Sequence, residues 1–237
     1  VLEESKDVQN RMFPLRWPLT LALVLLNLGV YFVQYYLAPR LWPSFPIEDT
    51  FALSLAGLQH GHVWQLLTYQ FMHGGWVHIT ANLVAVFCFG RILEAVVGWR
   101  KTLGLYLVSG IVGGLAQILF DAWLANPHWT SETVVGASAG AFGLLAAFTM
   151  LFPRERMLVL LFFVIPLRMK ARTMLVLLVT LTVVGIFVPL GHIGHVAHLG
   201  GALTGCLGAL WLLRPERLRL LREMGRQRAL EISASQC

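Results

Sequence analysis

The sequence predicts an all-α polytopic membrane protein: a bundle of six transmembrane helices with a long interfacial first loop. Three observations lead there. Hydrophobic residues make up 57% of the 237 positions, charged residues only 13%, and the mean hydropathy is +0.69. A soluble domain carries about a quarter charged residues. The apolar residues fall into six long segments, and a spanning helix needs about 20 such residues. The basic residues collect on alternate links between those segments.

Taken in order, residues 1–16 form a polar tail, and VLEESKDVQNRMFPLRW is too polar for a signal peptide. The apolar segments are Pro18–Leu37, His78–Leu93, Thr102–Trp123, Gly136–Phe152, Ala171–Leu190 and Val196–Leu213. Residues 17–213 therefore read as one membrane domain between the N-terminal tail and a basic C-terminal tail, 214–237. The second segment is short unless it starts within the preceding loop. That loop, Ala38 to Val77, holds FALSLAGLQHGHVWQLLTYQF, apolar and aromatic, which is expected to lie in the interface. The run MLVLLFFVIPL, residues 157–167, is too short to span and reads as a re-entrant or interfacial piece. In the C-terminal tail, leucines recur among arginines at helical spacing, as in a solvated or lipid-surface helix.

Orientation follows from charge. Lys6, Arg11 and Arg16 precede the first segment; Arg91, Arg100 and Lys101 surround the end of the second. Arg154, Arg156, Arg168, Lys170 and Arg172 follow the fourth, and six arginines follow the sixth. Of the 18 Lys and Arg, Arg40 alone falls in the other set of loops. Basic residues favour the cytoplasmic side, so both termini are expected there. The net charge of +6 then reflects topology and attraction to anionic membrane lipids. Nucleic acid is the weaker partner class, because the basic residues are spread over four segments. Cys88, Cys206 and Cys237 are odd in number and lack paired spacing, which argues against a disulfide framework. The compact six-helix plan suits a bacterial inner membrane.

This topology sends segments two, four and six from outside to inside. Their outer ends carry His78 and Asn82, Ser138, and His198, so reactive side chains from three helices share one depth. Ionisable groups within a membrane are costly and are usually functional. A serine becomes a nucleophile when a base takes its proton, and imidazole has a suitable pKa. Gly136, Gly140 and Gly143 flank Ser138, while Gly201 and Gly205 follow His198. Small residues at such spacing let helices approach closely. A small-residue interface without chemistry explains the glycines equally well, but not the histidine. His78 and Asn82, four apart, share a helix face and can donate hydrogen bonds to an oxyanion. The Ser138 N–H, in the first turn, can join them. A simple helix–helix hydrogen bond is the competing reading of that pair.

Asp121 and Glu132 are the nearest external acids, and neither is placed beside His198; a Ser–His dyad is the resulting expectation. The competing chemistry is metal binding by His192, His195 and His198, but no acidic residue lies in that cluster. No cofactor or metal is expected. Ser138 to Phe152 advances about 21 Å against a hydrocarbon core of about 30 Å, which puts Ser138 about 9 Å below the outer boundary. Hydrolysis there needs a water-filled cavity, with its mouth shaped by His73, Thr130–Glu132 and His192.

Three stretches carry a family resemblance: GASAGAFG (136–143), HVAHLGGALTG (195–205) and HGGWVHITAN (73–82). In order and spacing they resemble the motifs of the rhomboid family of intramembrane serine proteases. The resemblance implies a rhomboid-like bundle that hydrolyses peptide bonds in or near the transmembrane segments of membrane-anchored proteins. It implies Ser138 as nucleophile, His198 as general base, and His78 and Asn82 in the oxyanion hole. It gives His73 a supporting role in the first loop and Phe142 a place against the catalytic histidine. Gly136, Gly201 and Gly205 fall on motif glycines, and Glu94 and Gly98 fit a family segment after the second helix. It also implies lateral substrate entry by movement of the fifth segment relative to the second. Two positions depart from the pattern. Gln65 follows Trp64 where the family often has arginine, and Ala139 follows the nucleophile where glycine is frequent. A catalytically silent rhomboid-like binder or chaperone is the alternative function, and a histidine-lined transporter a third.

Overall fold

The computed structural model describes residues 17–124, 133–161, 165–188 and 194–211, with positions 215, 219 and 223 in the tail. The expectations for Lys6, Arg11, Arg16, Thr130–Glu132, His192 and most of the tail lie outside the described residues. Among those described, the chain is a multi-spanning bundle of apolar helices.

Helix α1 spans Pro18–Leu41, with a π-helical turn at Val33–Leu37. Its proline start has φ set for a helix, yet Trp17 supplies no side-chain cap. The cap comes from another helix. Glu94 accepts the backbone N–H groups of Leu19 and Thr20 at 2.9 and 2.8 Å and the Thr20 hydroxyl at 2.7 Å. A carboxylate at that end also complements the helix dipole.

The first loop follows as α2 (Ile47–Phe51), α3 (Leu55–Gln59) and α4 (Gln65–Thr68), closed by a 3-10 turn at Tyr69–Phe71. Gln65, at the position of the expected arginine, is fully buried. Its Oε1 accepts the Ser54 N–H at 3.2 Å and its Nε2 donates to the Asp49 carbonyl at 2.7 Å. Neutral hydrogen bonds thus tie the loop at this position. The Tyr69 hydroxyl donates to the Gly110 carbonyl at 2.6 Å and pins the loop to the next helices. Trp42, Phe45, Val63 and Trp64 of this loop are exposed.

Helix α5 spans Trp76–Val97 and α6 spans Trp99–Leu124, separated by Gly98 at φ +86°. At 22 residues, α5 is longer than the segment drawn from hydropathy. Arg91 and Glu94, which interrupt the apolar run, stay within the helix because each has a protein partner. Arg91 lies over the Trp17 and Phe87 rings, and Glu94 caps α1. The helices Pro18–Leu41, Trp76–Val97 and Trp99–Trp123 are long and apolar enough to cross a membrane.

Helix α7 (Ser138–Leu151), α8 (Ala171–Phe187) and α9 (His195–Trp211) are shorter. α7 is buried on almost every side, surrounded by α5, α6, α8 and α9, which suits a helix apolar all round. Its Leu144 and Phe148 pack with Phe89, Leu93, Tyr106 and Met174 in the main core.

Within residues 157–167, expected as a re-entrant or interfacial piece, the described residues form strands. Strands β1 (Arg156–Leu161) and β2 (Ile165–Lys170) pair antiparallel, with Arg156 opposite Lys170 and Leu161 opposite Ile165. A run this short cannot satisfy its backbone by spanning, and pairing on itself supplies the hydrogen bonds locally. The hairpin leads directly into α8, whose Ala171 N–H donates to the Glu155 carbonyl at 2.9 Å.

α7 and α9 run parallel with their backbones in contact. A Cβ at Gly201 would overlap the Ala139 carbonyl, and one at Gly205 the Gly143 carbonyl. α6 closes the third side: a Cβ at Gly113 would stand 2.5 Å from the Ala197 carbonyl oxygen. Gly205→Ala is therefore expected to destabilise the fold by about 1–3 kcal/mol through overpacking. Gly29→Ala, in α1, would meet nothing within 4 Å. It should instead raise stability by about 0.5–1 kcal/mol through lost chain entropy. Thermal unfolding in detergent reads both.

Candidate functional site

The sequence around Ser138 builds a strand-like approach followed by an abrupt helix start. Val134 and Leu53 exchange backbone hydrogen bonds at 2.7 and 3.0 Å, and the Gly136 N–H donates to the Tyr69 carbonyl at 2.9 Å. Gly136 then takes φ +128°, which an L side chain rarely adopts. A Cβ there would also stand 2.7 Å from His78 Nε2 and 3.4 Å from Asn82 Nδ2. The bare backbone of Gly136 thus lies directly against both side chains. Ser138 opens α7 two residues later.

His198 sits in the first turn of α9, and its Nε2 is 2.7 Å from Ser138 Oγ. The hydroxyl donates when Nε2 carries the lone pair, which leaves the ring proton on Nδ1. Phe142, one turn after Ser138, stacks on the imidazole with centroids 4.5 Å apart and planes 6° from parallel. Both Ser138 and His198 keep partial exposure. His195 meets His198 edge-on at 6.3 Å. Among the described residues, no group of three or more His, Cys, Asp or Glu is arranged to hold a metal ion.

His78 accepts the Gly74 N–H at Nδ1, 3.3 Å away. Its proton therefore lies on Nε2, the atom facing Gly136. Asn82 Nδ2 is buried and has no acceptor among the described residues. Leaving a buried donor unmatched costs about 1–3 kcal/mol. Two N–H donors from one face of α5 thus converge beside the backbone that leads into Ser138.

His73 is fully buried and reaches further than the first loop. Its N–H donates to Gln34 Oε1 at 3.2 Å, and its Nε2 accepts the Ala137 N–H at 3.5 Å. The Tyr35 hydroxyl donates to its carbonyl at 3.2 Å. His73 therefore links the π-turn of α1 to the residue before Ser138. Gln34 and Tyr35 escape sequence reasoning because nothing local marks them. Gln117 was missed as well, although it is a polar residue one turn from Asp121 in an apolar helix. Asp121 accepts from Gln117 Nε2 at 2.8 Å, and Gln117 Oε1 accepts the Val196 and Ala197 N–H groups at 3.0 and 3.2 Å.

The model of the rhomboid domain matches residues 60–215. The chain belongs to the rhomboid family. The matched span of this rhomboid includes His73, His78, Asn82, Ser138, Phe142 and His198; α1 lies outside it. RHOMBOID-like protein 5 of Arabidopsis thaliana is 32% identical over 179 residues, covering 74% of this chain and 53% of that protein. Rhomboid protease AarA of Providencia stuartii is 29% identical over 222 residues, 85% of this chain and 75% of that one. Rhomboid protein 1, mitochondrial, of Saccharomyces cerevisiae is 31% identical over 163 residues, 66% of this chain and 44% of that one. The chain spans about half the length of the first Arabidopsis relatives it matches.

Burial pushes the His73 imidazole down from 6.5 to about 4, with the neighbouring His78 adding to the effect. Between those values the unfolded chain binds this proton and the folded rhomboid does not. The stability His73 contributes is thus fully present above pH 6.5 and is lost as pH falls towards 4. The melting temperature of the wild type should fall over that window, and His73→Gln should flatten the slope there.

Proposed function

We propose that this rhomboid is an intramembrane serine endopeptidase acting on membrane-anchored proteins. In this reading the chain crosses a bacterial inner membrane six times, with both termini cytoplasmic. The observation that carries it is the 2.7 Å contact between His198 Nε2 and Ser138 Oγ, a hydrogen-bonding distance at which the imidazole can take the hydroxyl proton.

Ser138 Oγ attacks the scissile carbonyl as His198 Nε2 takes its proton. The carbonyl oxygen becomes an oxyanion and accepts from His78 Nε2, Asn82 Nδ2 and the Ser138 backbone N–H. Such donors act most strongly when they are fixed before charge develops. Asn82 Nδ2 suits this role because it is buried beside Gly136 and has no acceptor among the described residues. The tetrahedral intermediate collapses, and His198 returns the proton to the leaving amine. Water, deprotonated by the same imidazole, then hydrolyses the acyl-enzyme. The Phe142 ring, stacked on His198, holds the imidazole plane.

A helical peptide bond is hydrogen-bonded internally and shielded. Small or helix-breaking residues near the outer face would let a substrate unwind into the site. Entry between α5 and α8 follows from the family resemblance. The short α7, about 21 Å long, agrees with a serine set below the outer boundary.

Labelling with a fluorophosphonate probe tests the reading. Wild-type protein should be modified at Ser138, while Ser138→Ala and His198→Ala should not react. Cleavage of a transmembrane reporter at a normal rate by Ser138→Ala would overturn the assignment. A wild type that neither labels nor cleaves would leave the silent-binder reading. Asn82→Ala should lower kcat by about 10²–10³-fold with KM little changed, measured by steady-state cleavage in proteoliposomes.

A further inference from the structure

We propose that Gln117 and Asp121 are positioning residues that cap α9 from a neighbouring helix and so set where His198 stands; this rests on the protease reading above. α9 begins at His195 and is preceded by Gly194, which has no side chain with which to cap it. The first N–H groups of any helix lack partners within it. Here Gln117 of α6 takes two of them. Its Oε1 accepts from Val196 at 3.0 Å and from Ala197 at 3.2 Å.

The amide can turn either way unless its other end is held. Asp121, one turn along the same helix and buried, accepts from Gln117 Nε2 at 2.8 Å. That bond keeps Oε1 towards α9. Close by, a Cβ at Gly200 would stand 3.0 Å from the Gly113 Cα, so α6 and α9 have little freedom to part. Between the cap and this contact, the rotation and axial height of α9 are defined at both sides of His198. The imidazole follows Ala197, the second capped residue, by one position.

The test uses full-length protein in proteoliposomes, with cleavage of a transmembrane reporter and amide hydrogen exchange. Gln117→Leu removes the cap. It should speed exchange at the Val196 and Ala197 amides at least tenfold and lower kcat roughly tenfold or more, while KM stays within about twofold, because the dyad is displaced and substrate binding is not. Gln117→Glu with Asp121→Asn reverses the two roles while keeping the charge: a carboxylate faces α9, and an amide holds it. That double variant should restore slow exchange and most of kcat.

Unchanged exchange in Gln117→Leu overturns the cap. Faster exchange with unchanged kcat overturns the positioning role. Should Gln117→Leu fail to fold, the double variant decides, and loss of its activity with slow exchange retained counts against the proposal. A wild type inert to fluorophosphonate and reporter sinks the protease reading, and catalytic positioning with it; exchange then judges the cap separately.

Discussion

The contact between the backbones of α7 and α9 governs this molecule. Gly201 lies on the Ala139 carbonyl and Gly205 on the Gly143 carbonyl, so no layer of side chains separates the two helices. Helices packed through ordinary side chains keep their axes 8–10 Å apart. At that separation the His198 ring would not reach Ser138 Oγ. The parallel register repeats every four residues on both helices, and at its N-terminal end His198, three residues before Gly201, meets Ser138, the residue before Ala139. Apolar side chains gain little by leaving lipid for one another, so close packing of small residues must supply much of the association. The same glycines therefore hold the fold together and set the spacing of the site.

A second theme is capping in trans. Two helices begin without a side-chain cap of their own and take one from a neighbour: Glu94 for α1 and Gln117 for α9. His73 does similar work before α7, accepting the Ala137 N–H. Unpaired N–H groups are expensive in an apolar medium. Each buried polar residue thus removes a local cost and at the same time fixes one helix relative to another. Polar content is low, but much of it lies at junctions. Asn82 differs, because its Nδ2 donor is buried without an acceptor among the described residues.

Much of this was legible from pattern. Apolar runs located the helices, and the depth shared by His78, Asn82, Ser138 and His198 singled out the residues that now surround Gly136 and the start of α7. The helix ends were less legible. Hydropathy stops α5 at Leu93, before Glu94, because it cannot know that a charged side chain has found partners on α1. The strand pairing at 157–167 was not legible, because composition alone does not separate a short apolar helix from a strand. Gln117 stood in plain view, one turn from Asp121, yet the backbone groups it serves lie 79 and 80 residues away.

The sequence by itself determined the class of protein, the set of polar residues sharing one end of the bundle, and the small residues that permit close approach. These are properties of composition and helical period, carried by each segment alone. Tertiary structure decided which carbonyl meets which glycine, which nitrogen of each histidine faces the site, and which distant side chain caps which helix. Those depend on distances of a few tenths of an ångström between segments far apart in the chain, and no local periodicity encodes them.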